Sequence, residues 1–123
     1  MIVWGIGITF VAVESVIRLF DLYRTLSWVD VPSHFFAGAA VSAVVLRGLG
    51  SRSFAVRTKW ALAANLGVSL LWEAVEWIDE TITPDPPHLQ DVFLWDGFWD
   101  IVAALLGGLV LIWVVRRTRS IHD

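Results

Sequence analysis

A chain of 123 residues that is 57% hydrophobic and only 17% charged departs from soluble proteins, in which about a quarter of residues carry charge, and its mean hydropathy of +0.69 points to a bilayer as its solvent. The absence of cysteine excludes disulfides, thiolate metal ligands and a cysteine nucleophile, which leaves oxygen and imidazole for any metal site. Net charge is only −3, but the two signs are segregated along the chain, and the segregation carries topological information.

The first apolar run, Ile2 to Phe20, has no basic residue ahead of it and no small-x-small cleavage pattern behind it, so it reads as a retained helix and not as a signal peptide. Glu14 and Arg18 lie four apart on it, the spacing of an ion pair on one helix face. A polar segment, 21–31, ends at Asp30, a helix-capping residue followed by Pro32 in the first turn of the second helix, 32–49. A basic turn, Gly50 to Lys59, leads into the third helix, 60–78, which carries Glu73 and Glu76 near its end. The acidic loop Asp79 to Leu94 contains Pro84, Pro86 and Pro87, and the fourth helix, 95–115, opens with Asp96 and Asp100. Each run is near the ~20 residues that cross a hydrocarbon core. The predicted fold is therefore all-α, a four-helix transmembrane bundle forming one integral membrane domain over residues 1–123.

Arg47, Arg52, Arg57 and Lys59 join helices two and three, and Arg116, Arg117 and Arg119 follow helix four, whereas Arg18 and Arg24 alone lie toward the other side. The positive-inside rule then puts both termini in the cytoplasm, N-in and C-in, of a multi-pass protein of the cell membrane. Trp4, Trp60 and Trp113 fall near the inner interface and Trp28, Trp77 and Trp95 near the outer one, as anchoring tryptophans do. Small residues four apart at Gly38/Ser42, Ala63/Gly67, Ala103/Gly107 and Ala104/Gly108 are expected to be helix-packing seams.

Ionisable groups inside membrane helices cost at least ~2.5 kcal/mol each on insertion scales, so a cluster of them needs partners or a wet cavity. Asp30/His34 and Asp96/Asp100 are four apart and Glu73/Glu76 three apart, each pair on one helix face, and all fall on the outer half. The Glu73 face continues inward through Ser69 and Asn65, and that of Asp100 through Ala103 and Gly107. Carboxylates so gathered either bind a cation or hold protons. Oxygen-rich ligands with one imidazole suit Mg, Mn or Ca and still admit Zn.

Three stretches resemble the YjdF-like inner membrane proteins of prokaryotes: Asp30-Val31-Pro32-Ser33-His34-Phe35-Phe36-Ala37-Gly38, Trp72-Glu73-Ala74-Val75-Glu76-Trp77, and the run from Trp95-Asp96-Gly97-Phe98-Trp99-Asp100 to Gly107. A weaker likeness runs to VanZ-like membrane proteins. The resemblance implies that His34, Glu73, Glu76, Asp96 and Asp100 are the family's motif positions, with Glu14 and Arg18 outside them, and it carries over no activity. Typical members have additional helices, so a homo-oligomer or a membrane partner protein is expected.

The leading expectation is a metal-dependent, membrane-embedded hydrolase of a lipid or lipid-linked headgroup, with His34, Glu73, Glu76, Asp96 and Asp100 as ligands to a divalent metal. Asp30 or Glu76 would be the base, and Arg18 the contact to an anionic group. The alternatives are a cation- or proton-coupled transport protein, motivated by the Ser69 and Asn65 track, and an assembly subunit whose acids form a structural network. Membrane lipids are the expected partners. Nucleic acid is not, since topology already accounts for the few basic residues.

Overall fold

The computed structural model describes the backbone of residues 2–20, 30–82 and 93–119. These residues form α1 (Ile2–Leu19), α2 (Asp30–Gly48), α3 (Phe54–Ile82) and α4 (Phe93–Arg119), with no strand among them. Among the described residues three stretches are long and apolar enough to cross a membrane: Asp30–Gly48, Phe54–Asp79 and Asp96–Thr118. α1 is 18 residues long, with a shorter apolar stretch at Ile8–Ile17. It packs on α2, while α2, α3 and α4 contact one another pairwise.

Besides α4, which begins two residues early at Phe93, two helices start earlier than their apolar runs suggest. α2 takes in Asp30 within its first turn, and α3 begins six residues before Trp60, at Phe54. Ser53 explains the second case: its hydroxyl accepts from the Val56 amide at 3.4 Å and its carbonyl from Arg57 N at 3.1 Å, so a side-chain cap satisfies amides that the new helix leaves open. Hydropathy marks only the stretch immersed in lipid, and the capped first turn carries charge. The basic turn thus contracts to a few residues closed by the bond from Arg52 N to Leu49 O, 2.9 Å. Arg57, an orientation signal in the sequence, is buried at 4% exposure. Its Nη1 donates to the Leu46 carbonyl at 3.2 Å and its guanidinium lies 5.5 Å from the Phe54 ring centroid. A cation is thereby placed on the final carbonyls of α2, where the helix dipole favours it.

The central contact is between α2 and α4, which run parallel. A Cβ built on Gly38 would overlap the backbone carbonyl of Ala104, and one on Gly107 would overlap that of Phe35. These are bare-backbone crossings of the kind that small residues permit in membranes. α3 lies antiparallel against both, with Asn65 facing Gly108 and Glu73 facing Gly97. Toward the basic end the three helices close around Ala39, Ala43, Leu46, Ala61, Leu111 and Ile112, an apolar plug.

One expected seam is absent. Ala63 and Gly67 are exposed, and nothing lies within 4 Å of a Cβ built on Gly67. The face of α3 that packs inward is that of Ala61, Asn65 and Ser69, and Gly67, two residues from Asn65, is turned about 200° from it at 3.6 residues per turn. Trp60, Trp113 and Trp77 are exposed as anchors would be, with Arg117 stacked 5.3 Å from the Trp113 ring. Trp4, Trp28 and Trp95 lie outside the described side chains.

These two kinds of glycine behave oppositely on substitution. Gly38→Ala pushes a methyl into backbone that cannot yield and should destabilise the bundle by about 3 kcal/mol, the upper end of overpacking costs. Gly67→Ala, in open space, should be neutral or stabilising by up to ~1 kcal/mol through helix propensity. Unfolding of the two variants in one detergent measures the contrast, and equal effects would contradict the crossing.

Candidate metal centre

The acidic end of the bundle is hollow where the basic end is plugged. A cleft of about 970 Å³ is lined there by residues from α1, α2, α3 and α4, including Asp30, His34, Glu73, Glu76, Asp96 and Asp100. α2 presents Asp30, Ser33, His34 and Ala37 along one stripe, and α3 presents Asn65, Ser69, Trp72, Glu73 and Glu76 along another, each at the three- and four-residue spacing that keeps side chains on one face.

His34 is the hub. Its Nε2 is 3.3 Å from Asp30 Oδ1 and 3.8 Å from Asp100 Oδ2, and His34 and Asp100 are both buried. Two groupings offer ligand atoms within 4.8 Å of one another, Asp30 with His34 and Asp100, and His34 with Glu73 and Glu76. Bonds of about 2.0–2.6 Å to one cation allow ligand atoms at most about 4–5 Å apart, so either set is within the reach of a single ion. Ligands at right or tetrahedral angles on bonds of that length stand about 3–4 Å apart, and the two distances measured in the Asp30, His34 and Asp100 set match this.

The remaining acids are held in different ways. Trp72 Nε1 donates to Glu76 Oε1 at 2.7 Å, which fixes one carboxylate oxygen and leaves the other directed by it. Glu73 lies against Gly97, where any Cβ would strike its carboxylate. The glycine between Asp96 and Asp100 thus admits a third acid from α3.

Three oxygens in the cleft are buried without a hydrogen-bond partner: Asp100 Oδ1, Glu73 Oε1 and Asn65 Oδ1. All are acceptors. Asp100 is 3% exposed and Asn65 1%, so bulk water does not compensate them, and an unpaired buried polar atom is costly. Asn65 cannot relieve this by turning its amide. Its Nδ2 donates to Ala104 O at 2.9 Å and Gly38 O at 3.3 Å and contacts Ser42 Oγ at 3.4 Å, and carbonyls only accept. The cleft therefore offers acceptors to an occupant that donates or is positively charged.

Of the residues singled out by sequence, the structure brings together Asp30, His34, Glu73, Glu76 and Asp100. Asp96 lines the same cleft but is exposed and belongs to neither close grouping. The side chains of Glu14, Arg18 and Glu80 lie outside the described set, as do Asp85, His88, Asp91 and His122. Asp79, expected to open the acidic loop, belongs to α3 and lines the cleft, because that helix runs on to Ile82. The bridging role of Asn65 and the bond from Trp72 to Glu76 go beyond what residue spacing indicated. An asparagine in an apolar run was the available signal for the first, and tryptophan four residues before glutamate for the second.

The chain belongs to the family described as "Predicted membrane protein (DUF2238)", whose model matches residues 3–120. No curated protein and no solved structure matches it.

Loss of the Asn65 bridge is expected to loosen the bundle directly below the acids. Asn65→Ala should cost about 1–2 kcal/mol, the upper range for interhelical hydrogen bonds in membranes, read as a lower unfolding midpoint in detergent. An unchanged midpoint would show that the three contacts hold nothing together.

Proposed function

On the premise that the chain is a membrane protein of that family, we propose that its cleft is a divalent-cation site and that the protein is a metal-dependent hydrolase of a lipid or lipid-linked headgroup. The observation that carries the reading is the pair of distances from His34 Nε2 to Asp30 and Asp100, 3.3 and 3.8 Å, beside a buried Asp100 oxygen that has no partner. Asp30, His34 and Asp100 would hold the ion. Mg, Mn, Ca or Zn all suit the donor set, and the chemistry such an ion supplies is Lewis-acid activation of water. Glu76, oriented by Trp72, is the base: it takes a proton from water as the water oxygen bonds to the headgroup phosphorus or carbonyl carbon. The ester bond to the departing oxygen breaks, and the proton returns to that oxygen. Glu73 and Asp96 complete the negative surround, with Asp30 the alternative base if the ion instead sits among His34, Glu73 and Glu76.

The topology belongs to the same reading. α1 makes a fourth crossing, both termini lie in the cytoplasm, and the cleft faces outward, an orientation supported by the basic residues between α2 and α3 and after α4. The three motifs around His34, Glu73 and Asp100 support the narrower kinship with YjdF-like inner membrane proteins. Passage of an ion along Ser69 and Asn65 is the weaker alternative. The Asn65 amide is engaged by carbonyls of α2 and α4, and the apolar plug lies beyond it.

Metal analysis of the purified full-length protein should find about one divalent ion per chain, and His34→Ala or Asp100→Asn, which remove a ligand outright, should weaken binding by more than the ~10–100-fold that loss of an outer-shell partner costs. Glu76→Gln should keep the ion while abolishing headgroup release from mixed phospholipid vesicles. A metal-free protein whose thermal stability ignores added Mg, Mn, Ca and Zn would end the proposal. Reporter fusions at either terminus should be active only in the cytoplasm; an externally active fusion would refute the four-crossing topology.

A further inference from the structure

The cleft contains more carboxylate than one divalent ion neutralises. Asp30, Glu73, Glu76, Asp79, Asp96 and Asp100 all line it, and among the described residues that line it there is neither lysine nor arginine. With an ion bound among Asp30, His34 and Asp100, the carboxylates of Glu73, Glu76, Asp79 and Asp96 remain, and Glu73 Oε1 is buried without a partner. An anionic group would meet this remainder as like charge, whereas an ammonium offers three donors to acceptors that lack them.

The cleft also opens sideways. Val68, Trp72 and Val75 belong to its lining and are at the same time 50%, 45% and 48% exposed, so one wall is continuous with the lipid-facing surface of α3. Of the three long spans that of α3 is the least enclosed, with 17% of its 18-residue apolar stretch buried against 39% in each of α2 and α4. Below the acids the α2 wall becomes apolar, with Ala37, Ala40 and Val41, while the α3 lining keeps Ser69 and Asn65. The stretch from Glu76 to Asn65 on α3 is about 16 Å at 1.5 Å per residue. Acidic groups at one end, an apolar α2 wall below them and a lateral mouth together describe an amphiphile's binding site.

We propose that the occupant is a lipid with an amine-bearing headgroup, entering from the bilayer past Val68 and Trp72. Its ammonium lies among Glu73, Glu76 and Asp96, and its chain runs along Ala40 and Val41. This names the substrate class of the site above and rests on reading the cleft as a headgroup site.

The test uses the full-length chain in phosphatidylcholine nanodiscs doped equally with phosphatidylethanolamine and phosphatidylglycerol, with retained lipid counted by native mass spectrometry after mild extraction. Phosphatidylethanolamine should exceed phosphatidylglycerol about tenfold, a ratio readily resolved as an affinity difference. Asp96→Asn and Glu76→Gln, the first at an exposed position that folding tolerates, should each bring the ratio toward parity, and Ala40→Trp should reduce retention of both lipids. Parity or a phosphatidylglycerol excess in the unaltered protein overturns the inference, as does a preference that survives both carboxylate changes. Repeating the count in EDTA separates the two proposals. Protein that never held metal yet prefers phosphatidylethanolamine refutes the cation site alone, and protein that keeps its metal without the preference refutes the amine site alone.

Discussion

Everything at the acidic end depends on how closely α2 and α4 approach at Gly38 and Ala104. With no Cβ on Gly38, its backbone meets the Ala104 carbonyl directly, and the Asn65 amide of α3 donates to both Gly38 O and Ala104 O. His34 is one turn before Gly38, and Asp100 is one turn before Ala104. On parallel helices pinned at that crossing, the two side chains one turn up, about 6 Å along the axis, are brought face to face, which is the 3.8 Å approach observed. The site geometry is therefore a consequence of a glycine and an asparagine that belong to neither ligand grouping.

The bundle divides its physics by end. At the basic end, apolar side chains and alanines fill the space between three helices, and Arg57 closes α2 from inside. At the acidic end the same helices leave a cavity with unpaired acceptors. Desolvated acids without partners cost stability, and the close-packed end offsets that cost by locking helices that would otherwise splay to hydrate them. This division matches the general observation that polar groups inside membrane proteins mark function, while small-residue contacts carry the assembly.

Much of this was legible in the sequence, and the exceptions have physical reasons. Spacing of three and four identified the faces of Asp30, His34, Glu73, Glu76 and Asp100, because helix periodicity is fixed wherever the helices pack. It could not separate Asp96 from the close set, since Asp96 and Asp100 lie on one face and only depth distinguishes them. Small-xxx-small spacing located the Gly38/Ser42 and Ala104/Gly108 seam but gave equal weight to Ala63/Gly67, which is exposed; a pair of small residues permits close approach without requiring it. Arg57 read as a surface charge because composition does not show that a helix end lies next to it. The early start of α3 was hidden for a related reason: hydropathy senses the bilayer, while the helix is bounded by the Ser53 cap.

A membrane-embedded acidic cluster can serve binding or passage, and the shape of the space around it favours the first. A pathway needs polar groups that an ion can leave as easily as it enters, arranged across the membrane. Here the polar stripe of α3 descends through Ser69 to Asn65 and stops, because Asn65 is committed to backbone carbonyls on both neighbours. Beyond it the faces turn to Ala43, Ala61 and Leu111. The space is deep at one end, closed in the middle and open along α3, a shape suited to retention more than to passage. With acceptors left unpaired on its floor and walls, any occupant would gain most by satisfying them, and positive charge or hydrogen-bond donors are what could do so.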